Sequence, residues 1–192
     1  MKRLLLILIF TLSFQSWTKA DDISDFQIEG MSIGQSLLDF FSEKDIKRRK
    51  KVTYPNSDKY YVISFPEQDF YETYEVTQFM LKKDDNEYII HSVSGKLMDE
   101  DQFSECNKKK DSIAKEISRA TSIKPQIDNG DVLPSDNTGK SISNSISFFF
   151  DNDDQIMIDC SDWSDAVNFA DNLKVVLLPS YVNRWILDEA FK

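Results

Sequence analysis

Histidine is nearly missing from this chain, with His91 the only one in 192 residues. A multi-histidine metal centre is thereby excluded, and any hydrolytic triad would have to use this one ring as its base. His91 stands between Ile90 and Ser92 in a run that reads as a strand, and neither Ser92 nor Ser94 has a G-x-S-x-G setting. That context favours a packed or half-exposed strand histidine, so no catalytic residue is assigned. Glycine is scarce, at five residues, and none belongs to a phosphate loop or a dinucleotide fingerprint. Two cysteines, Cys106 and Cys160, are too few for zinc-finger spacing. No cofactor is expected from motifs.

Basic charge is also in deficit. The chain has 23 Lys and Arg against 33 Asp and Glu, a formal charge of −10. The basic residues are uneven: Lys2 and Arg3 precede a run from Leu4 to Phe14 that is apolar except for Thr11 and Ser13, and Thr18-Lys19-Ala20 follows. A short positive region, an apolar run and small residues at the end form a secretory signal, with cleavage expected after Ala20. The apolar run is shorter than the roughly 20 residues that span a bilayer core. No cysteine near the cleavage point offers a site for a lipid, and no later segment is apolar enough to cross a membrane. Without Lys2, Arg3 and Lys19 the mature chain has 20 basic and 33 acidic residues, a formal charge of −13. Such a surface repels nucleic acid and anionic lipid. Residues 21–192 are one domain's length, and 14 Phe, 7 Tyr and 3 Trp supply a core.

Ser32 and Gln35 have capping-box spacing, and Ile33, Leu37, Leu38 and Phe41 follow at helical intervals, predicting a first helix that ends near Asp45 or Ile46. Alternation of Tyr61, Ile63 and Phe65, the run Tyr74 to Phe79, and the run Tyr88 to Val93 predict three strands. A helix is expected from Asp99, with Gln102 completing its cap and Phe103, Cys106, Ile113, Ile117 and Ala120 on its inner face. Ile123 to Lys140 holds Pro125 and Pro134 with several Asp and Asn, and reads as a long surface loop. Ile142 to Phe150, Ile156 to Cys160 and Leu173 to Leu178 predict three more strands, with Ser180 capping a last helix. This order suggests an α+β fold, an antiparallel sheet packed against helices, laid out as two successive β-β-β-α blocks after an N-terminal helix.

In an exported chain, two cysteines on the apolar faces of a helix and a strand should join, so a Cys106–Cys160 disulfide is expected. Lys47, Arg48, Arg49, Lys50 and Lys51 form a basic run that meets the negative end of the first helix and offers an interaction surface for an acidic partner or phosphate groups. Asp151 to Asp154 and Lys83 to Asn86 gather hard oxygens but lack the glycine and distal glutamate of a calcium loop, so both read as turns and no metal ligand is assigned. Tyr60-Tyr61, Phe70-Tyr71 and Phe148 to Phe150 place rings on both faces of their strands.

The segment Glu29-Gly30-Met31-Ser32-Ile33-Gly34 resembles the G-M-[ST] helix start of small outer-membrane assembly subunits of the BamE/SmpA family. The whole-chain pattern is similar to exported proteins of AT-rich marine Gram-negative bacteria, which implies a periplasmic location. The expected function is a non-enzymatic periplasmic binding or envelope-assembly protein with an envelope partner. An inhibitor or chaperone-like partner of a secreted enzyme, using the Ile123 to Lys140 loop, is a second reading, and a carboxylate-dependent hydrolase a third.

Overall fold

The computed structural model describes residues 20–98, 103–133 and 136–192. Most of the expected signal segment and the Asp99/Gln102 cap pair lie outside them. Two 3-10 turns, Ile23–Asp25 and Leu37–Asp39, precede helix α1 (Glu43–Lys47). Strands β1 (Val52–Thr53), β2 (Tyr60–Pro66), β3 (Val76–Lys82) and β4 (Ile90–Met98) follow, then helix α2 (Phe103–Thr121). Strands β5 (Gln126–Val132), β6 (Ile142–Phe149), β7 (Gln155–Asp162) and β8 (Asn172–Leu178) lead to α3 (Ser180–Trp185), which continues into a π-helical turn, Ile186–Ala190. The strands form one antiparallel sheet in the order β1-β2-β3-β4-β8-β7-β6-β5.

Period-two alternation sorts the side chains between the two faces. Ile63, Phe65, Phe79, Leu81, Val93, Phe148, Ile156, Ile158 and Leu173 point to one face and are almost wholly buried. That face is covered by α2 and by the N-terminal segment, through Met31, Leu37, Phe41 and Ile46. Each large side chain removed from water here contributes about 1.5–3 kcal/mol. On this same face Cys106 of α2 and Cys160 of β7 form the expected disulfide, with Cα atoms 6.0 Å apart. Tyr74 lies so close over Gly95 of β4 that a Cβ there would stand 2.4 Å from the ring.

The opposite face has a smaller core, in which Tyr60, Met80, Val176 and Leu178 meet Val182 and Trp185 of α3. Among the described residues, α3 and the turn after it pack on one end of this face. Trp185 packs edge-on against Tyr60 and Tyr54 at 4.9 and 5.0 Å between centroids, and its Nε1 donates to Ser57 Oγ at 3.2 Å.

The expected sheet packed against helices in two β-β-β-α blocks is therefore corrected to a mostly β fold, a single eight-stranded sheet with few helices. Three local causes account for the difference. The first helix does not form, because the Gly34 and Leu37 N–H groups donate to Ile90 and Tyr88 carbonyls, and Gly34 has φ +86°. Only the backward half of the cap is made, with Ser32 N–H donating to Gln35 Oε1 at 2.8 Å. Second, β1 and, within the Ile123 to Lys140 loop, β5 each add an unexpected strand, so both halves have four. Third, β4 and β8 pair antiparallel at the centre, so equivalent blocks would be related by an axis normal to the sheet and would put their helices on one face. Helices α2 and α3 lie on opposite faces.

Candidate functional site

Beyond α3, the second face has an unusual central rung. Val76, Lys96, Lys174, Asp159, Ser145 and Asp128 are register partners in sequence across β3, β4, β8, β7, β6 and β5. Lys96 and Lys174 are thus directly opposed on the two central strands, where like charges destabilise a sheet. Neither ammonium has an ion-pair partner among the described residues. Burial pushes the Lys96 amine down to about 8, helped by the charge of Lys174 and opposed by Asp159. Burial also lowers Lys174, against the pull of Asp159. The Asp159 carboxylate accepts from the Ser161 hydroxyl at 2.6 Å.

Beside this rung, between the sheet and the end of α3, lies a cleft of about 180 Å³. Lys174, Gln78 and Ser94 supply its polar side, and Val62, Met80 and Ile186 belong to its apolar side. The Gln78 amide donates to Ser64 Oγ at 3.0 Å, and the neighbouring Ser92 hydroxyl to the Leu177 carbonyl at 2.7 Å, so both are fixed by the sheet.

The residues singled out in the sequence lie elsewhere. Lys47 pairs with Glu43 at 2.7 Å and Arg48 with Asp45 at 3.1 Å, both within the α1 region. Arg49 lies 4.3 Å over the Phe65 ring and Lys51 4.4 Å over Tyr61. Arg48, Arg49 and Lys50 line an open depression of about 490 Å³ with Val52 and Ser64. His91 Nδ1 is 2.8 Å from Tyr181 Oη, its ring packs edge-on against Tyr60, and burial lowers its pKa. Since the Ser92 hydroxyl serves Leu177, the two do not form a nucleophile–base pair. The wider hollow at His91, about 410 Å³, is open and walled mainly by Lys82, Lys83, Asp84 and Asp85.

The acidic turns serve the fold. Asp154 Oδ1 accepts the Ser180 N–H at 2.7 Å, supplying the acceptor at the start of α3, and Oδ2 takes the Asn152 amide. Asp85 accepts from the Glu87 and Ile89 N–H groups, both at 2.9 Å. Among the described residues no group of three or more His, Cys, Asp or Glu could hold a metal ion.

Two anchors were missed from sequence. Glu29, in a tight turn with φ +50°, accepts from three consecutive N–H groups, Glu72, Thr73 and Tyr74, at 2.7, 2.9 and 2.6 Å. These residues therefore make a turn rather than a helix start. Asp136 is buried and accepts from the Ser141, Thr138 and Ser164 hydroxyls, which hold its carboxyl far below the usual range.

No helix among the described residues is long and apolar enough to cross a membrane. Comparisons with protein-family models, with curated proteins and with solved structures gave no match.

Proposed function

We propose that the protein is a non-enzymatic binding protein, exported to the periplasm or beyond, that takes an anionic envelope component on the second face of its sheet, beside α3. The observation that carries this reading is the opposed Lys96–Lys174 pair, two ammonium groups at the centre of the sheet that form no ion pair among the described residues and have one carboxylate, Asp159, beside them on the rung. Opposed, half-buried ammonium groups destabilise a sheet, and charges set against their surroundings in this way cluster at functional sites. Export is supported by the Lys2 to Ala20 pattern and by the Cys106–Cys160 disulfide, which persists only in an oxidising compartment in ordinary bacteria.

The test is retention of small anions from an envelope extract by the folded protein, read by native mass spectrometry. A Lys96→Met, Lys174→Met double variant is the control. Species held by the wild type and absent from the variant support the reading. Equal retention by both, or none by either, overturns it.

A further inference from the structure

We infer that the ligand is a short-chain monocarboxylate, with its carboxylate on Lys174 and Lys96 and its hydrocarbon tail in the cleft beneath Ile186. The inference rests on the binding face proposed above and adds the chemical class. Three features of the site select it.

Charge fixes the head group. Lys96, Lys174 and Asp159 are successive partners on the rung, while Asp128 stands two strands beyond Asp159 at the sheet edge, so with both amines protonated the group around the lysine pair carries one excess positive charge. One negative charge neutralises it, whereas a phosphomonoester dianion would leave an excess negative charge against Asp159.

Apolar lining requires a tail. Tyr54, Val62, Met80, Met157, Val176 and Ile186 line the cleft with Lys174 at its polar edge, so head and tail sites are contiguous. Two of these six are methionines, whose flexible thioethers adapt to a sliding chain. Volume sets the length. At about 30 Å³ per water-sized unit, 180 Å³ accepts roughly six such units, which matches a six- to eight-carbon acid rather than a sixteen-carbon one.

Trp185 packs on Tyr54, a residue of the cleft wall, so in a Trp163→Phe background of residues 21–192 its emission reports occupancy. The purified protein is titrated with hexanoate, octanoate, palmitate, hexanol and hexylamine. Hexanoate and octanoate should bind, hexanol and hexylamine should not, and palmitate should gain nothing over octanoate. Lys174→Met should weaken octanoate by roughly tenfold or more, the scale of a lost charge-assisted bond, while its circular dichroism stays that of the wild type. Equal binding of hexanol, or unchanged octanoate binding by Lys174→Met, overturns the inference. If octanoate fails but the envelope extract yields another anion lost from the double lysine variant, the ligand class falls and the binding face stands. If neither depends on the lysines, both fall.

Discussion

Replacing Lys96 by methionine should stabilise this protein, against the usual direction for a half-buried residue. Lys96 faces Val76 on β3 and Lys174 on β8, with Asp159 one strand further on. Its amine falls from 10.5 to about 8 on folding. Each unit corresponds to about 1.4 kcal/mol, so keeping the group charged in the folded state costs at most about 3–4 kcal/mol near neutrality. Rotation of the stem toward solvent reduces this, and a gain of about 1–3 kcal/mol is expected. The folded-state value lies below the unfolded one, so between pH 8 and 10.5 the unfolded chain binds more protons and stability climbs with pH. The destabilisation is therefore fully present below about pH 8 and fades above it. Urea denaturation of wild type and Lys96→Met at pH 7.5 and 9.5 measures both effects. The variant's advantage should fall by more than half at the higher pH. That range stays below the titration of Tyr71, Tyr74 and Tyr181, raised to about 12 by burial, whose contribution is lost only from pH 10 upward. A variant that is destabilised, or whose gain ignores pH, would refute the reasoning.

Gly95→Ala places a methyl group 2.4 Å from the Tyr74 ring and should cost about 1–3 kcal/mol in a denaturant melt, with Tyr74→Leu restoring part of it. Reducing Cys106–Cys160 reopens a loop spanning 54 residues and should remove about 4 kcal/mol; intact mass after alkylation, with and without reductant, reports the bond itself. Glu29→Ala leaves the N–H groups of residues 72–74 without their acceptor, so their amide exchange should accelerate and stability should drop by about 1–2 kcal/mol.

Legibility from sequence followed burial. Alternating apolar residues in β2, β6, β7 and β8 and the inner face of α2 had one reading, because each must reach a core, and Cys106 and Cys160 lay on two such faces. β5 escaped notice because Gln126, Asp128, Asn129 and Asp131 sit on an exposed sheet edge, where polar residues guard against further pairing. The false first helix had helical spacing, but Ile33, Leu37 and Phe41 lie in a segment that crosses the sheet and bonds to Tyr88 and Ile90. The lysine site depends on register between distant strands, which no local pattern encodes. One signal was available: Lys174 is a lone charge within Leu173 to Leu178, and Lys96 stands out of phase with Val93 and Leu97.

The most direct test of the account is an amide-resolved NMR titration with octanoate at low and moderate ionic strength. Shifts are expected around residues 94–96, 174–176 and 157–159, where β4, β8 and β7 meet on the second face. A shift pattern centred on residues 47–51 would contradict the binding face, and no shifts at all would contradict the monocarboxylate assignment.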